Sequence, residues 1–112
     1  MNWIPLDKEE QLDTIIGQSR EQPVVIFKHS TRCNISSMAL GRLERAQTPG
    51  QTLFYLLDLI RYRSLSNRVA EVFGVHHESP QVLLIRDGVC TYHESHSAIT
   101  MDDLAERTEN GM

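Results

Sequence analysis

The sequence predicts an α/β fold of three layers, in which helices cover both faces of a mixed four-stranded sheet. Helical and strand-like patterns alternate along the first half of the chain, which implies a parallel crossover. In the second half, Asp87-Gly88 separates two apolar runs, and such a pair is a strong signal for an antiparallel hairpin. A length of 112 residues suits one hydrophobic core, so residues 1–112 are predicted to form a single domain.

The first half is predicted to begin with an extra helix ahead of a β-α-β unit. Leu12, Ile15 and Ile16 have the spacing of a one-sided helix. The run from Pro23 to His29 shows no polar alternation until its end, as expected of a central strand that is buried on both faces. The predicted elements are a helix from Lys8 to about Arg20, a strand from Pro23 to His29, a helix from Cys33 to about Ala46 and a strand from Thr52 to Leu59.

The second half is predicted to contain a helix, the β-hairpin and a final helix. Gly74 can adopt the left-handed conformation that commonly ends a helix, and Thr100 with Asp103 three residues later indicates a helix start. The predicted elements are a helix from Ser64 to Phe73, strands from Gln81 to Ile85 and from Val89 to Tyr92, and a helix from Met101 to Arg107. This order, β-α-β followed by a helix and then β-β-α, is that of the thioredoxin architecture.

Charge and hydropathy disfavour two classes of partner. The chain has 11 Lys and Arg against 15 Asp and Glu, a net charge of -4, and no basic stripe, so nucleic-acid binding is not expected. No apolar run approaches the ~20 residues needed to cross a bilayer, and the N-terminus does not resemble a secretion signal. Cys33 and Cys90 are therefore predicted to be reduced thiols of a cytoplasmic protein.

Cys33 lies where the buried strand gives way to a helix. The first-turn N–H groups of a helix have no intrahelical partner and favour an anion, and Arg32 adds a positive charge next to the thiol. The sequence therefore predicts that Cys33 is a nucleophilic thiolate. The alternative is a small buried hydrophobic side chain, but the polar run from His29 to Arg32 favours an exposed turn.

Ser36 stands one helical turn after Cys33, where a dithiol oxidoreductase has its second cysteine. A serine hydroxyl can donate a hydrogen bond to the thiolate but cannot form a disulfide, so the predicted enzyme is monothiol and needs another thiol to resolve it. Ordinary capping of the first helical turn is the alternative role for Ser36, and both roles can coexist.

Ser79-Pro80 begins the strand that is expected beside the cysteine turn. A cis bond at this position would direct the backbone of Ser79 outward, where it could pair with an incoming peptide or thiol. The alternative is a trans proline that simply starts a strand. The order of the elements favours the cis form.

The remaining candidate residues have weaker signals. Cys90 is predicted to occupy a packed strand position, although it could resolve a disulfide if it came within reach of Cys33. The histidine-containing stretches 76–78 and 93–96 lack a tetrahedral ligand set with thiolates, so no metal is expected. His29 and His77 are interpreted as groups that tune the thiolate, or as polar residues near the pocket. Trp3 is expected to anchor the N-terminus on the domain surface.

The stretch from Phe27 to Ser36, together with His77–Gln81 and Ser95–Ser97, resembles the monothiol bacilliredoxins, thioredoxin-fold proteins linked to bacillithiol. The resemblance implies reduction of mixed disulfides between protein cysteines and bacillithiol, with Cys33 as the attacking thiol. Where the family often has proline after this cysteine, the sequence has Asn34.

The resemblance also implies the partners and the site. S-thiolated client proteins are the expected partners, a low-molecular-weight thiol such as bacillithiol is the expected co-substrate, and no tightly bound cofactor is expected. Cys33 and Ser36 are the predicted catalytic residues. The predicted substrate-binding residues are Arg32, Asn34, His77, Ser79 and Pro80.

Two other functions remain open at this stage. One is a redox-responsive binding module of thioredoxin fold, in which oxidation of Cys33 changes partner binding without turnover. The other is iron–sulfur binding by a dimer, as in monothiol glutaredoxin-like proteins, but no Gly-Phe pair lies between Cys33 and Ser36. Turnover of a thiolated client would distinguish an enzyme from a redox-responsive binding module, which would not turn over.

Overall fold

The computed structural model describes residues 1–110, so the last two positions of the predicted domain lie outside the described residues. Its elements are β1 Trp3–Pro5, α1 Gln11–Gln18, β2 Val24–His29, α2 Asn34–Arg45, β3 Leu53–Asp58, α3 Arg63–Phe73, β4 Gln81–Arg86, β5 Val89–Ser95, a short 3-10 turn His96–Ala98, and α4 Met101–Asn110. The strands form one sheet of five in the order β1-β3-β2-β4-β5.

Strand β2 lies at the centre of the sheet and every one of its residues is buried. It runs parallel to β3 and antiparallel to β4, and in this register Lys28 lies between Leu57 and Gln81. The carboxyl ends of β2 and β3 therefore meet the amino end of β4 at one edge of the sheet. This edge, where His29 ends β2 and Gln81 begins β4, is called the carboxyl edge below.

The predicted sheet of four strands with a helix in front is wrong at the N-terminus. The sheet has a fifth strand, β1, which pairs in parallel with β3, and the first helix follows this strand. A three-residue strand is too short to show a period in the sequence. Trp3 is part of the sheet rather than only a surface anchor: its ring stacks on Phe27 and meets Phe54 edge-on, each with centroids 5.9 Å apart.

Most of the predicted elements are confirmed, with small differences at their ends. Helix α1 begins at Gln11, later than the predicted Lys8. The Gln11 side-chain oxygen accepts hydrogen bonds from the backbone N–H groups of Asp7 and Lys8, both at 2.8 Å, and so ties the preceding segment to the helix. Gly74 ends α3 with a φ of 63°. The N–H of Asp103 donates to the Thr100 hydroxyl at 3.2 Å, which is the predicted cap of α4.

The sheet is covered on both faces, as the three-layer prediction requires. Alternate residues of β2 point to opposite faces, so Val24 and Ile26 pack with α1 and α3, while Val25 and Phe27 pack with α2 and α4. The same alternation assigns Lys28 to the first face and His29 to the second. None of the helices within residues 1–110 combines the length and the apolarity that crossing a bilayer requires.

Candidate thiol site at the start of helix α2

Cys33 is the residue that precedes the first turn of α2, in an extended conformation with φ -117° and ψ 120°. Its N–H donates to the Ser30 carbonyl at 3.2 Å, and its own carbonyl accepts from Ser37 N–H at 3.0 Å, which closes the turn that follows β2. The side chain is partly exposed. The predicted strand-to-helix position of Cys33 is therefore confirmed.

The electrostatic environment at the start of α2 favours negative charge. The first turn of α2 contains no acidic residue, and the helix N-terminus carries the positive end of the dipole. The Cys33 sulfur makes no capping hydrogen bond to the helix backbone. The unpaired N–H groups of the first turn and the positive end of the dipole therefore lie next to the residue that carries the thiol.

Ser36 occupies a different environment from the one predicted. Its side chain is fully buried, and its hydroxyl oxygen accepts a hydrogen bond from the Ser30 N–H at 2.9 Å. The same oxygen lies 2.7 Å from Nδ1 of His29. Among the described residues, no hydrogen bond joins Ser36 to the Cys33 sulfur. The hydroxyl instead ties the first turn of α2 to the loop before the cysteine, because its side chain points inward beneath that loop.

His29 is buried at the end of β2, on the face that α2 covers. Burial lowers the pKa of His29, and the more distant carboxylates of Asp58 and Glu44 oppose this effect only partly. The neutral ring stacks on Phe27 with centroids 5.9 Å apart. His29 and Ser36 thus connect β2, the thiol loop and α2, and they hold the backbone that carries Cys33.

Replacing Ser36 by alanine is expected to destabilise the fold by about 2 kcal/mol, because the Ser30 N–H and the His29 Nδ1 would lose their buried partner. Urea unfolding measures this loss. Ser37→Ala is the matched control, since Ser37 is exposed on the same helix. Equal stability of the two variants would contradict a structural role for the Ser36 hydroxyl.

Ser36→Cys is expected to form a disulfide with Cys33 under mild oxidation. Side chains separated by one helical turn lie close enough for this bond once the buried side chain rotates outward. Intact-mass measurement should show the loss of both thiol hydrogens, whereas the wild type, whose Cys33 and Cys90 are both free, should keep them. A Ser36→Cys protein that stays reduced under the same oxidant would mean that the two positions do not approach.

Ser79 and Pro80 lie at the carboxyl edge, next to the end of β2. The peptide bond between them is cis, the isomer that the sequence favours. Gln81 pairs with Lys28, so Pro80 comes next to the level of His29 in the antiparallel register. The Pro80 carbonyl accepts a hydrogen bond from His96 N–H at 3.0 Å, which secures the segment from the side of β5.

Lys28 is a site residue that the sequence-based predictions did not include. It is fully buried, its ammonium donates to the Ser66 carbonyl at 3.1 Å, and Nζ lies 3.2 Å from Nδ1 of His77. Burial lowers the pKa of Lys28 from 10.5 to about 8. A signal was present in the sequence, because the run from Pro23 to His29 was predicted to be buried on both faces and it contains this lysine.

His77 links this buried lysine to the segment before β4. Its side chain is partly exposed, and its Nδ1 also lies 3.4 Å from the Ser66 hydroxyl. Burial and the nearby Lys28 charge lower the pKa of His77, so the ring is neutral near pH 7. The structure therefore places His77 beside Lys28, three residues before Pro80.

Two predicted substrate-binding residues, Arg32 and Asn34, are exposed on either side of Cys33.

Cys90 lies on β5, two strands away from β2, and packs against the core of the first face. Its thiol donates to the Tyr92 carbonyl at 3.3 Å, and burial raises its pKa. The prediction of a packed strand position for Cys90 is confirmed. No group of three potential metal ligands occurs among the described residues.

Comparison with solved structures shows the fold independently of the sequence pattern. A protein described as having a thioredoxin fold is 29% identical, covers 92% of this chain and 90% of its own, and has a TM-score of 0.76. Thioredoxin from Fasciola hepatica is 16% identical, with 96% and 98% covered and a TM-score of 0.73. Thioredoxin f2 from Chlamydomonas reinhardtii is 15% identical, with 99% and 97% covered and a TM-score of 0.70.

Fold and site together define a thioredoxin-fold protein with one cysteine at the start of the site helix. Residues 4–104 match the family of the monothiol bacilliredoxin BrxC. The chain belongs to the monothiol bacilliredoxin family, as its motifs predict. This family and fold place it among the thiol–disulfide oxidoreductases.

Proposed function

We propose that the protein removes a low-molecular-weight thiol, bacillithiol or a similar compound, from mixed disulfides on protein cysteines, and that Cys33 is the attacking residue. The observation that carries the proposal is the position of Cys33, partly exposed at the start of α2, which follows β2 at the same carboxyl edge as the Ser79–Pro80 segment. Ser36 occupies the place of a second cysteine, which makes the reaction monothiol.

The proposed reaction has two exchange steps. The Cys33 thiolate attacks the small-thiol sulfur of the mixed disulfide, the original S–S bond breaks, and the client cysteine leaves as a thiolate that takes up a proton. Cys33 then carries the small thiol. A second molecule of small thiol attacks the sulfur of the small thiol that Cys33 carries. The S–S bond to Cys33 breaks, Cys33 leaves as a thiolate, and the two small thiols leave as their symmetric disulfide, so oxidation of these two thiols balances the reduction of the client mixed disulfide.

Cys90 is not proposed as the resolving thiol. It sits on an edge strand two strands away from β2, and its raised pKa leaves little thiolate for attack. The resolving electrons therefore come from solution, and the proposed setting is the cytoplasm, where small thiols are kept reduced.

Recognition in this proposal is divided between the two sides of the cysteine. Arg32 and Asn34 are exposed next to Cys33 and are proposed to contact the small thiol. Ser79, Pro80 and His77 lie on the segment before β4 and are proposed to contact the client. No tightly bound cofactor takes part in the proposed reaction.

The test is a de-thiolation time course with a client protein that carries bacillithiol on one cysteine, with the glutathionylated client in parallel. Intact-mass measurement follows client and protein together. Repair of the client with transient addition of the small thiol to Cys33 is the expected result. A stable cap on Cys33 without client repair would overturn the proposed turnover and support a redox-responsive binding module instead.

A further inference from the structure

A buried amino group beneath the carboxyl edge has no role in the exchange steps above. Lys28 is a cation at the centre of the sheet, and its side chain is fully shielded from solvent. Its described hydrogen-bond partners are the Ser66 carbonyl and the His77 ring. A buried ammonium is costly unless its hydrogens are used, so both contacts stabilise the charged form.

No carboxylate forms an ion pair with Lys28 among the residues that the structure describes. The lysine is therefore not one half of a buried salt bridge. Its charge acts on His77, because the ammonium is one of the charges that lower the pKa of that ring.

The contact between Lys28 and His77 fixes the form of the imidazole. A lysine ammonium can only donate hydrogen bonds, so the Nδ1 of His77 that it contacts must act as the acceptor. A neutral histidine that accepts at Nδ1 carries its proton on Nε2. No hydrogen bond joins Nε2 to any described residue, and the side chain is partly exposed.

The register brings the segment that carries His77 to the carboxyl edge of the sheet. Lys28 pairs with Gln81 at the start of β4, and His77 stands four residues before Gln81 in the segment that contains Ser79 and Pro80. Cys33 follows Lys28 by five residues, at the same edge. A client that pairs beside Pro80 and presents its disulfide to Cys33 comes next to this segment.

We propose that Lys28 is a positioning residue for client reduction: it holds His77 with the proton on Nε2, and this proton goes to the client sulfur as it leaves. The inference rests on the proposed function. When the client S–S bond breaks and the new bond to Cys33 forms, Nε2 gives its proton to the departing thiolate. Nδ1 takes a proton from the Lys28 ammonium at the same time, and the amine is reprotonated from solvent between turnovers.

The charges around His77 come from several elements. Lys28 of β2 and Arg63 of α3 lower its pKa, as does the neighbouring His76, while Glu78 raises it. The amine of Lys28 has a pKa of about 8, close to the ~8.5 of a free thiol, so proton transfer between them is nearly balanced. Above that pH the relay loses its proton, and client reduction should slow on the alkaline side.

The experiment compares rate constants for client de-thiolation between pH 6 and 10 in the wild type, Lys28→Met and His77→Leu, with a bacillithiolated client as the probe. Both variants should reduce the client several-fold more slowly than the wild type at pH 7. This loss is smaller than the roughly 10²-fold that is typical of acid catalysis, because a thiolate is already a good leaving group. The alkaline decline of the wild type should be absent in both variants, and the three profiles should converge above pH 9. Equal rates for wild type and His77→Leu at pH 7 would overturn the inference.

Two further variants separate a role in the reaction from a role in folding. His77→Gln keeps an acceptor for Lys28 and a donor at its far end, so it should retain more activity than His77→Leu while lacking the alkaline decline. His76→Gln is the matched control, because His76 is a neighbouring exposed histidine, and it should behave as the wild type. A decline that persists in His77→Gln would contradict proton transfer through the ring.

Nitrogen NMR of the His77 ring tests the inference without any turnover. The wild type at pH 7 should show Nδ1 as the unprotonated nitrogen, and Lys28→Met should populate the other tautomer. A wild-type ring protonated at Nδ1 would overturn the inference even if the client is reduced. Conversely, the expected tautomer in a protein that reduces no client would refute the proposed function while leaving the Lys28–His77 contact intact.

Discussion

Cys33→Ser is expected to lose all de-thiolating activity and to form no adduct with a small thiol. A serine hydroxyl is a poor nucleophile at neutral pH without a dedicated base, and the buried imidazole of His29, at the end of β2, lies 2.7 Å from the hydroxyl of Ser36 instead. The measurement is the de-thiolation time course on a bacillithiolated client, with the mass of client and protein read together.

Cys90→Ser is the matched control for this prediction. Its thiol is partly buried on β5 with a raised pKa, so the variant should reduce the client at the wild-type rate. A small-thiol adduct on Cys90 in the wild type, or residual turnover in Cys33→Ser, would show that Cys33 is not the attacking residue.

The stability of the wild type is expected to rise by about 3 kcal/mol relative to Lys28→Met between about pH 8 and pH 10.5. Below pH 8 the lysine is charged in both the folded and the unfolded chain, so the folded state carries the full cost of the buried charge. Between the two pKa values the unfolded chain binds more protons, and stability therefore increases with pH. Above 10.5 both states are neutral and the cost is gone.

Urea unfolding of both proteins across this pH range measures the difference. Taking the difference cancels the tyrosines and cysteines, which titrate in both variants. Lys8→Met is the matched control, because Lys8 is the other lysine of the chain and is exposed, and its difference from the wild type should stay constant with pH. A difference for Lys28→Met that is also constant would mean that the ammonium is not desolvated in the folded state.

The position of Cys33 at the start of a helix was predictable because its signals are local. A strand without polar alternation followed at once by helical spacing determines where a helix N-terminus lies, and the cysteine is placed there by its position in the sequence. The absence of a second cysteine at position 36 likewise makes the site monothiol whatever the packing. The Asp87-Gly88 turn specifies the hairpin by the same local rule.

The tertiary structure decided the features that depend on residues distant in sequence. Strand β1 exists because Trp3 packs on Phe27 and Phe54, which lie on two other strands, and three residues show no period of their own. The partners of Ser36 are on the loop and strand before the helix, so the direction of its hydroxyl followed from packing and not from its place one turn after Cys33.

The contact of Lys28 with His77 illustrates the same limit most clearly. The sequence determined that position 28 lies in a buried strand, but its partners stand 38 and 49 residues away, on α3 and on the segment before β4. Strand alternation sets the face on which a side chain lies, whereas the element that covers that face depends on the path of the whole chain. Burial of the lysine is therefore a local property, and its hydrogen bond to the histidine is a property of the assembled fold.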